Sequence, residues 1–398
     1  MKVQTDLRSR LPKGGVNLFQ GIKAKKAEAE ARGILVVNLS IGQPKGPALM
    51  TARVAASQAV MSGDESMHEY QDNGSPGVSD FALKFVMKQV ETAFVSKTID
   101  FVPTPGTKPM LGLIPQACGA IDGKKITVAT TTSPGYPTPK DQCLYQGIEH
   151  YALPTNSANK FLFSPKDIRP GTDLLMINYP HNPSGQVASQ KWLREVCRYC
   201  AENGIRIFND AAYIGLSHTK DSCALIEVAQ EFNNLSYSEA FSASKIGNFT
   251  GWRIGAIAGS WDFIQDIKTI KGNTDSGFAA FAAAGILNAL QIERGTIQHL
   301  RESYANRLKL LIEILTGHEM RLAVEPKAGF FALFEVPKMA FGLSIRDAEE
   351  FNLLMIEKTG IVGVHFHPYI RYAVVENIDN MNTIKAIASG FKMANVSY

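Results

Sequence analysis

Cysteine is scarce, with five in 398 residues (Cys118, Cys143, Cys197, Cys200, Cys223), too few and too scattered for a disulfide framework. No secretory leader is expected, since MKVQTDLRSRLPKGG contains no apolar stretch. The least polar window, 277–290, is shorter than a membrane span and rich in alanine and glycine, so no membrane segment is expected. Charge of one sign is not concentrated anywhere. A net charge of +4 without a run of like residues gives no reason to expect a nucleic-acid partner. These absences predict a cytoplasmic protein. What remains is 45% hydrophobic and 20% charged, the balance of a globular chain, and too long for one ordinary core.

After a polar N-terminal arm, Gly21–Arg32 has the composition of a helix closed by Gly33. Ile126–Thr130, Leu174–Asn178 and Ile205–Asn209 are short apolar runs of the buried-strand type, and Lys191–Asn203 has helical spacing ending at Gly204. Strands alternating with helices predict an α/β fold with a largely parallel sheet. From about Gln291 the character changes to a long charged helix, Ile292–Leu315. An antiparallel region is then expected around 329–336 and 371–374. The expected division is an N-terminal arm with part of a small domain (1–45), a large domain (46–290) and a small α+β C-terminal domain (291–398). No internal repeat is evident.

Three motifs stand out, two of them directly after predicted strands, where open α/β sheets build their sites. Ser242-Ala243-Ser244-Lys245 is followed eight residues later by Arg253 within Gly-Trp-Arg-Ile-Gly. A lysine that becomes an imine must be fixed and partly desolvated, and hydroxyls with a guanidinium suit a phosphate beside it. By itself SASK describes a solvated surface lysine equally well. Asp210-Ala-Ala-Tyr213 follows the strand IRIFN; its carboxylate reads either as a helix cap or as a partner for a protonated ring nitrogen. Asn178-Tyr-Pro-His-Asn182-Pro-Ser-Gly185 is a turn stiffened by two prolines, which presents Asn182 as a donor.

Taken together, Asn-Pro-Ser-Gly, Asp-x-x-Tyr 28 residues after the asparagine, Ser-x-Ser-Lys and an arginine eight further on resemble the class I/II aminotransferases. The resemblance implies fold-type I architecture: a large domain with a mostly parallel seven-stranded sheet between helices, and a smaller α+β domain. It implies pyridoxal 5′-phosphate bound by Lys245 as a Schiff base, with Lys245 also moving the proton. It further implies that Asp210 pairs with the pyridine nitrogen and that Asn182 and Tyr213 hold the ring hydroxyl. Ser242, Ser244 and Arg253 would bind the phosphate. Within the same frame, Gly106-Thr107-Lys108 resembles the family's phosphate loop, with Pro109 where a helix former is usual. Tyr136 matches the aromatic that stacks on the ring. Tyr70 matches a tyrosine that reaches the neighbouring subunit's phosphate, which implies a homodimer with shared active sites. Arg371 matches the arginine that grips the substrate α-carboxylate, and Gly42 the glycine whose backbone assists it.

The implied reaction moves an amino group from an L-amino acid to a 2-oxo acid, with 2-oxoglutarate the expected acceptor, by a ping-pong scheme. The segments 271–290 and HEYQDNGSPG look most like LL-diaminopimelate and aspartate aminotransferases. Lyase, racemase or oxidase chemistry on the same scaffold is the alternative. A non-catalytic effector-binding domain is a remote one, since it would need a helix-turn-helix ahead of Gly42. Cys197-x-x-Cys200 is expected to pack inside a helix. His365-x-His367 is expected on one strand face near Arg371, and no metal site is predicted. No Gly-x-Gly-x-x-Gly follows an early strand, which disfavours a dinucleotide fold.

Overall fold

In the computed structural model, residues 18–73, 80–90, 99–119 and 125–398 are described. The N-terminal arm before residue 18 and the end of the HEYQDNGSPG segment lie outside them. The helix expected at 21–32 is Leu18–Ala31, followed by the two-residue strand β1 (Val37–Asn38).

Seven strands then build one sheet: β2 (Ile99–Thr104), β3 (Thr127–Thr130), β4 (Glu149–Ala152), β5 (Leu174–Ile177), β6 (Arg206–Asp210), β7 (Tyr237–Ser242) and β8 (Gly255–Ser260). Their order is β2-β8-β7-β6-β5-β3-β4, and six run parallel while β8 opposes them. Every residue of β5 and β7 is buried, as expected for central strands covered on both faces. Pro103 is tolerated because β2 is an edge strand.

Helix Gln190–Asn203 shows how the covering layer is specified. Ser189 Oγ accepts the Trp192 N–H at its start, and Gly204 ends it at φ +65°. Its buried stripe is Trp192, Leu193, Val196, Cys197 and Cys200, so both cysteines of the Cys-x-x-Cys pair are core residues. Burial pushes the Cys200 thiol up to about 12, which makes it a poor ligand or nucleophile.

The C-terminal part contributes β9 (Phe331–Glu335), β10 (Met339–Ala340), β11 (Leu343–Ser344), β12 (Ile361–Val362), β13 (Val364–Phe366) and β14 (Tyr369–Ala373). β13, β14 and β9 form an antiparallel sheet, and β10 pairs with β11. β1 pairs parallel with β12 (Val37↔Ile361), which ties the N-terminal segment to the C-terminal one. A separate apolar cluster gathers here around Phe330, Phe334, Phe351, Tyr372 and Phe391.

Two expectations are corrected. The long helix does not begin at Ile292: Glu293 leaves helical geometry (φ −101°, ψ 33°) and separates Ala280–Ile292 from Arg294–Thr316. Its carboxylate accepts the N–H of Thr51 at 3.1 Å and the Thr51 hydroxyl. This tertiary capping competes with continuing the helix. His365 and His367 do not share a strand face. His365 lies in β13, while His367 falls in the two-residue turn to β14, and neither lines the cleft described next.

Candidate active site

Strand ends converge on a cleft of about 480 Å³ between the large sheet and the C-terminal sheet. β7 delivers Ser242, and the chain turns at once through a short helix so that Lys245 faces the cleft. The turn is held by Ser242 Oγ, which accepts the Ser244 N–H at 3.2 Å, and by Thr250 Oγ1, which donates to the Ser244 carbonyl at 3.1 Å. β8 runs antiparallel beside β7, with Ser242 opposite Gly255, so Arg253 comes back to the edge that Lys245 leaves. Arg253 has φ +54°, and its Nη1 donates to the Thr250 carbonyl at 2.9 Å.

Gly106, at φ +83°, follows β2 directly. A methyl group there would come within 2.5 Å of Arg253 Nη2, so the glycine is what lets the guanidinium lie against this loop. Thr107 and Lys108 line the cleft beside it, and Pro109 caps a four-residue helix, Met110–Leu113.

β6 ends at Asp210, which is buried, and among the described residues its Oδ1 has no hydrogen-bond partner. Burial lifts this carboxyl to about 6, opposed by the Ala212 N–H and the Lys245 charge. Burial likewise lowers the Lys245 amine to about 8; the positive charges of Arg371 and Arg253 push the same way, and Asp210 opposes. Lys245 Nζ donates to the Gly42 carbonyl at 2.7 Å and lies 5.5 Å from the centre of the Tyr213 ring.

The loop after β5 is stitched to its neighbours by Asn178. Its Nδ2 donates to the Asp210 carbonyl at 2.7 Å, and its Oδ1 accepts the Asn182 N–H at 3.0 Å. Asn182 Oδ1 in turn accepts from Arg371 Nη1 at 2.7 Å. Arg371, on β14, is almost wholly buried. Its Nη2 donates to the Ser40 carbonyl at 3.2 Å, and its guanidinium lies 4.0 Å from the Phe331 ring centre and 5.2 Å from that of Phe366. Among the described residues no carboxylate pairs with it, and its Nε is buried without a partner. Burial lowers its pKa from 12.5 to about 10.

The cleft thus gathers Gly42, Thr107, Lys108, Tyr136, Asn182, Asp210, Tyr213, Ser242, Ser244, Lys245, Arg253 and Arg371, with Gly106 immediately behind Arg253. Tyr70 is not brought in; it is 76% exposed in the single chain. Asn178, Leu111 and Thr250 line the cleft without having been assigned a role from sequence. Asn178 carried a signal, an amide at the point where a buried strand ends, but its partners come from β6 and the following loop.

A mixed seven-stranded sheet with lysine, carboxylate and arginines collected at its strand ends defines a fold-type I pyridoxal-phosphate enzyme. A family model described as aminotransferase class I and II matches residues 35–377, and the chain belongs to that family. It is therefore a pyridoxal 5′-phosphate-dependent aminotransferase, acting on an amino acid and a 2-oxo acid. The chain is 30% identical over 381 residues to an LL-diaminopimelate aminotransferase of Syntrophobacter fumaroxidans, covering 90% of this chain and 91% of the relative. It is also 30% identical over 352 residues to one of Methanocaldococcus jannaschii, covering 85% and 80%. A Thermus thermophilus aspartate aminotransferase single mutant superposes with a TM-score of 0.82 at 20% identity, over 96% of this chain and 100% of that one. The donor set fits the cofactor. A buried carboxylate oxygen without a partner suits a ring N–H, and a guanidinium against a glycine loop suits a phosphate. Among the described residues, no helix is long and apolar enough to cross a membrane.

Proposed function

We propose that this enzyme transaminates a dicarboxylic L-amino acid of the LL-diaminopimelate or aspartate type, with 2-oxoglutarate as acceptor, and that Arg371 holds the α-carboxylate of each substrate. The observation that carries this reading is Arg371 itself: a buried cation with no carboxylate partner among the described residues, on the wall of the cleft that contains Lys245 and Asp210. Such a charge needs an anion to offset its lost hydration, and an amino acid brings one. The relatives' names support the donor class.

When bound, pyridoxal phosphate supplies the electron sink that makes a Cα proton removable. Asp210 keeps a proton on the ring nitrogen. Asn182 and Tyr213 orient the ring hydroxyl, Tyr136 packs on the ring face, and Gly42 contributes backbone near the carboxylate. Ser242, Ser244, Arg253 and the Gly106–Lys108 loop hold the phosphate. Lys245 Nζ would anchor the cofactor and would take up and return the proton at the substrate Cα. An amine whose pKa has dropped to about 8 is partly neutral at neutral pH, as a base must be.

The active form is proposed to be a homodimer in which Tyr70 reaches the partner's phosphate. Its exposure supports this, as do the exposed Met50, Val54, Met61 and Ile292 on two helices that pack together. The domain limits 1–45, 46–290 and 291–398 are supported by the separate apolar clusters and by the β1–β12 pairing. A cytoplasmic location is proposed with the rest.

The test is Lys245→Ala. Transfer from amino donors to 2-oxoglutarate should vanish, together with the absorbance of the lysine-bound cofactor, while the protein stays folded by circular dichroism. Retained imine absorbance that borohydride removes would refute the assignment of Lys245. Ammonia release by wild type from single amino acids, with no acceptor present, would refute the proposed transfer.

A further inference from the structure

A buried polar network lies on the far side of the sheet residues that face the cleft. Asn209 and Asp210 are successive residues of β6, so their side chains point to opposite faces. Asp210 lines the cleft, and Asn209 sits behind it, 1% exposed. The paired part of β5 ends at Ile177, opposite Asn209, where the chain bends away into the Asn178–Gly185 loop. From that point the Asn209 side chain substitutes for a strand. Its Oδ1 accepts the Tyr179 N–H at 2.8 Å, and its Nδ2 donates to the Tyr179 carbonyl at 2.8 Å. The other Nδ2 hydrogen goes to Glu239 Oε1 at 2.7 Å.

Glu239, on β7, is fully buried, and among the described residues no cation pairs with it. Its Oε2 accepts the Ile226 N–H at 3.0 Å, and the Leu225 N–H also points at the carboxylate. The groups that hydrogen-bond to it are all donors. Burial raises this carboxyl to about 7 in spite of those donors, with the Glu227 charge adding to the rise, so keeping it ionised has a cost. A fully buried carboxyl group that no catalytic step uses, and that only donors face, calls for another reason to be there.

We infer that Glu239, acting through Asn209, is a positioning residue for the Asn178–Gly185 loop, and so for the Asn182–Arg371 contact that receives the substrate carboxylate. The reasoning is one of hydrogen-bond polarity. Faced also by the Ile226 and Leu225 N–H groups, the Glu239 side chain is used here as an acceptor, and the Asn209 amide turns Nδ2 toward it. That orientation leaves Oδ1 for the Tyr179 N–H. If the amide were reversed, Nδ2 would oppose the Tyr179 N–H and Oδ1 would oppose its carbonyl, and both main-chain contacts of the loop would be lost. Three residues beyond Tyr179, Asn182 places its Oδ1 2.7 Å from Arg371 Nη1. The inference rests on the carboxylate-binding role proposed for Arg371.

The test is a double-mutant cycle with Glu239→Gln and Asn209→Ala, read as the calorimetric dissociation constant of maleate, an unreactive dicarboxylate, on the holoenzyme, together with KM and kcat. The glutamine side chain has nearly the same shape as the glutamate it replaces but turns an N–H toward one of the facing donors. Loop misplacement of this kind is expected to weaken maleate and raise KM by roughly tenfold or more, with kcat less affected. Because Glu239 acts through Asn209, adding Glu239→Gln to Asn209→Ala should change maleate binding by less than about twofold. A Glu239→Gln enzyme that melts lower but binds maleate as wild type does would overturn the inference, as would two effects that multiply. If Glu239→Gln does not fold, Asn209→Ser is read the same way: weakening supports the inference and unchanged binding overturns it. Arg371→Leu is the control. If it too leaves maleate binding intact, the reading of the site fails, a result distinct from failure of the Glu239 relay alone.

Discussion

Replacing Arg371 with leucine separates a binding residue from a structural one, because the two roles predict opposite balances of stability and affinity. The fall in its pKa from 12.5 to about 10 corresponds to roughly 3 kcal/mol of unfavourable burial, at about 1.4 kcal/mol per pH unit. This penalty is present at every pH below about 10 and fades between there and 12.5, so at neutral pH the ligand-free protein carries all of it. Leucine removes it and keeps apolar contact with Phe331 and Phe366. The substitution also leaves Asn182 Oδ1 and the Ser40 carbonyl without Arg371, at about 1–3 kcal/mol for a buried group left unpaired. The two effects nearly cancel, so the ligand-free variant should lie within about 2 kcal/mol of wild type in urea unfolding. Breaking a buried ion pair would instead cost about 3–5 kcal/mol. Affinity should fall steeply: two charged hydrogen bonds to a carboxylate, at about 1.5–3 kcal/mol each, put the rise in KM at roughly 10²–10⁴-fold. Unfolding measured on cofactor-free protein, with steady-state kinetics on the loaded enzyme, gives both numbers. A variant destabilised by more than about 3 kcal/mol with an unchanged KM would show that Arg371 is a strut and that the carboxylate binds elsewhere.

Asp210→Asn should stabilise the cofactor-free protein, and do so more at pH 8 than at pH 5. A carboxyl raised from 3.8 to about 6 penalises the folded state above pH 6, by about 3 kcal/mol, and progressively less as pH falls toward 4. Melting temperatures at the two pH values check this, and a larger advantage at pH 5 would contradict it. Gly106→Ala should raise the cofactor dissociation constant about tenfold or more. Left-handed backbone costs an alanine about 1–2 kcal/mol, and the new methyl group displaces the Arg253 guanidinium. Equilibrium dialysis of the phosphate-bearing cofactor measures this, and unchanged binding would remove the Gly106–Arg253 contact from the phosphate site.

Legibility of this chain follows the range of the interactions involved. Strands β3, β5 and β6 are visible in the sequence because central parallel strands are continuous apolar runs, and helix Gln190–Asn203 because its buried stripe has helical spacing and a glycine stop. β2, with Asp100 and Pro103, and β8, rich in glycine and alanine, give no such run; partners elsewhere in the sheet decide them. The break at Glu293 depends on Thr51, 242 positions away. In the cleft, Lys245 and Arg253 belong to one compact motif and are read together. The Asn209–Glu239 pair is invisible because an asparagine beside Asp210 and a glutamate inside a strand form no local pattern. Only the sheet register brings them within 2.7 Å. Tyr70 is exposed in the single chain, and the place proposed for it depends on a second chain.

The course of the chain through the cleft also bears on synthesis. The residues proposed to hold the cofactor's ring and phosphate, from Gly106 to Arg253, are all translated before the C-terminal sheet exists. The proposed carboxylate clamp draws on Ser40, Asn182 and Arg371, and is incomplete until β14 pairs with β9. A ribosome reading this message therefore finishes the proposed cofactor cradle well before the residue proposed to hold the substrate carboxylate. The hold on the substrate carboxylate is the last element of the proposed site to form.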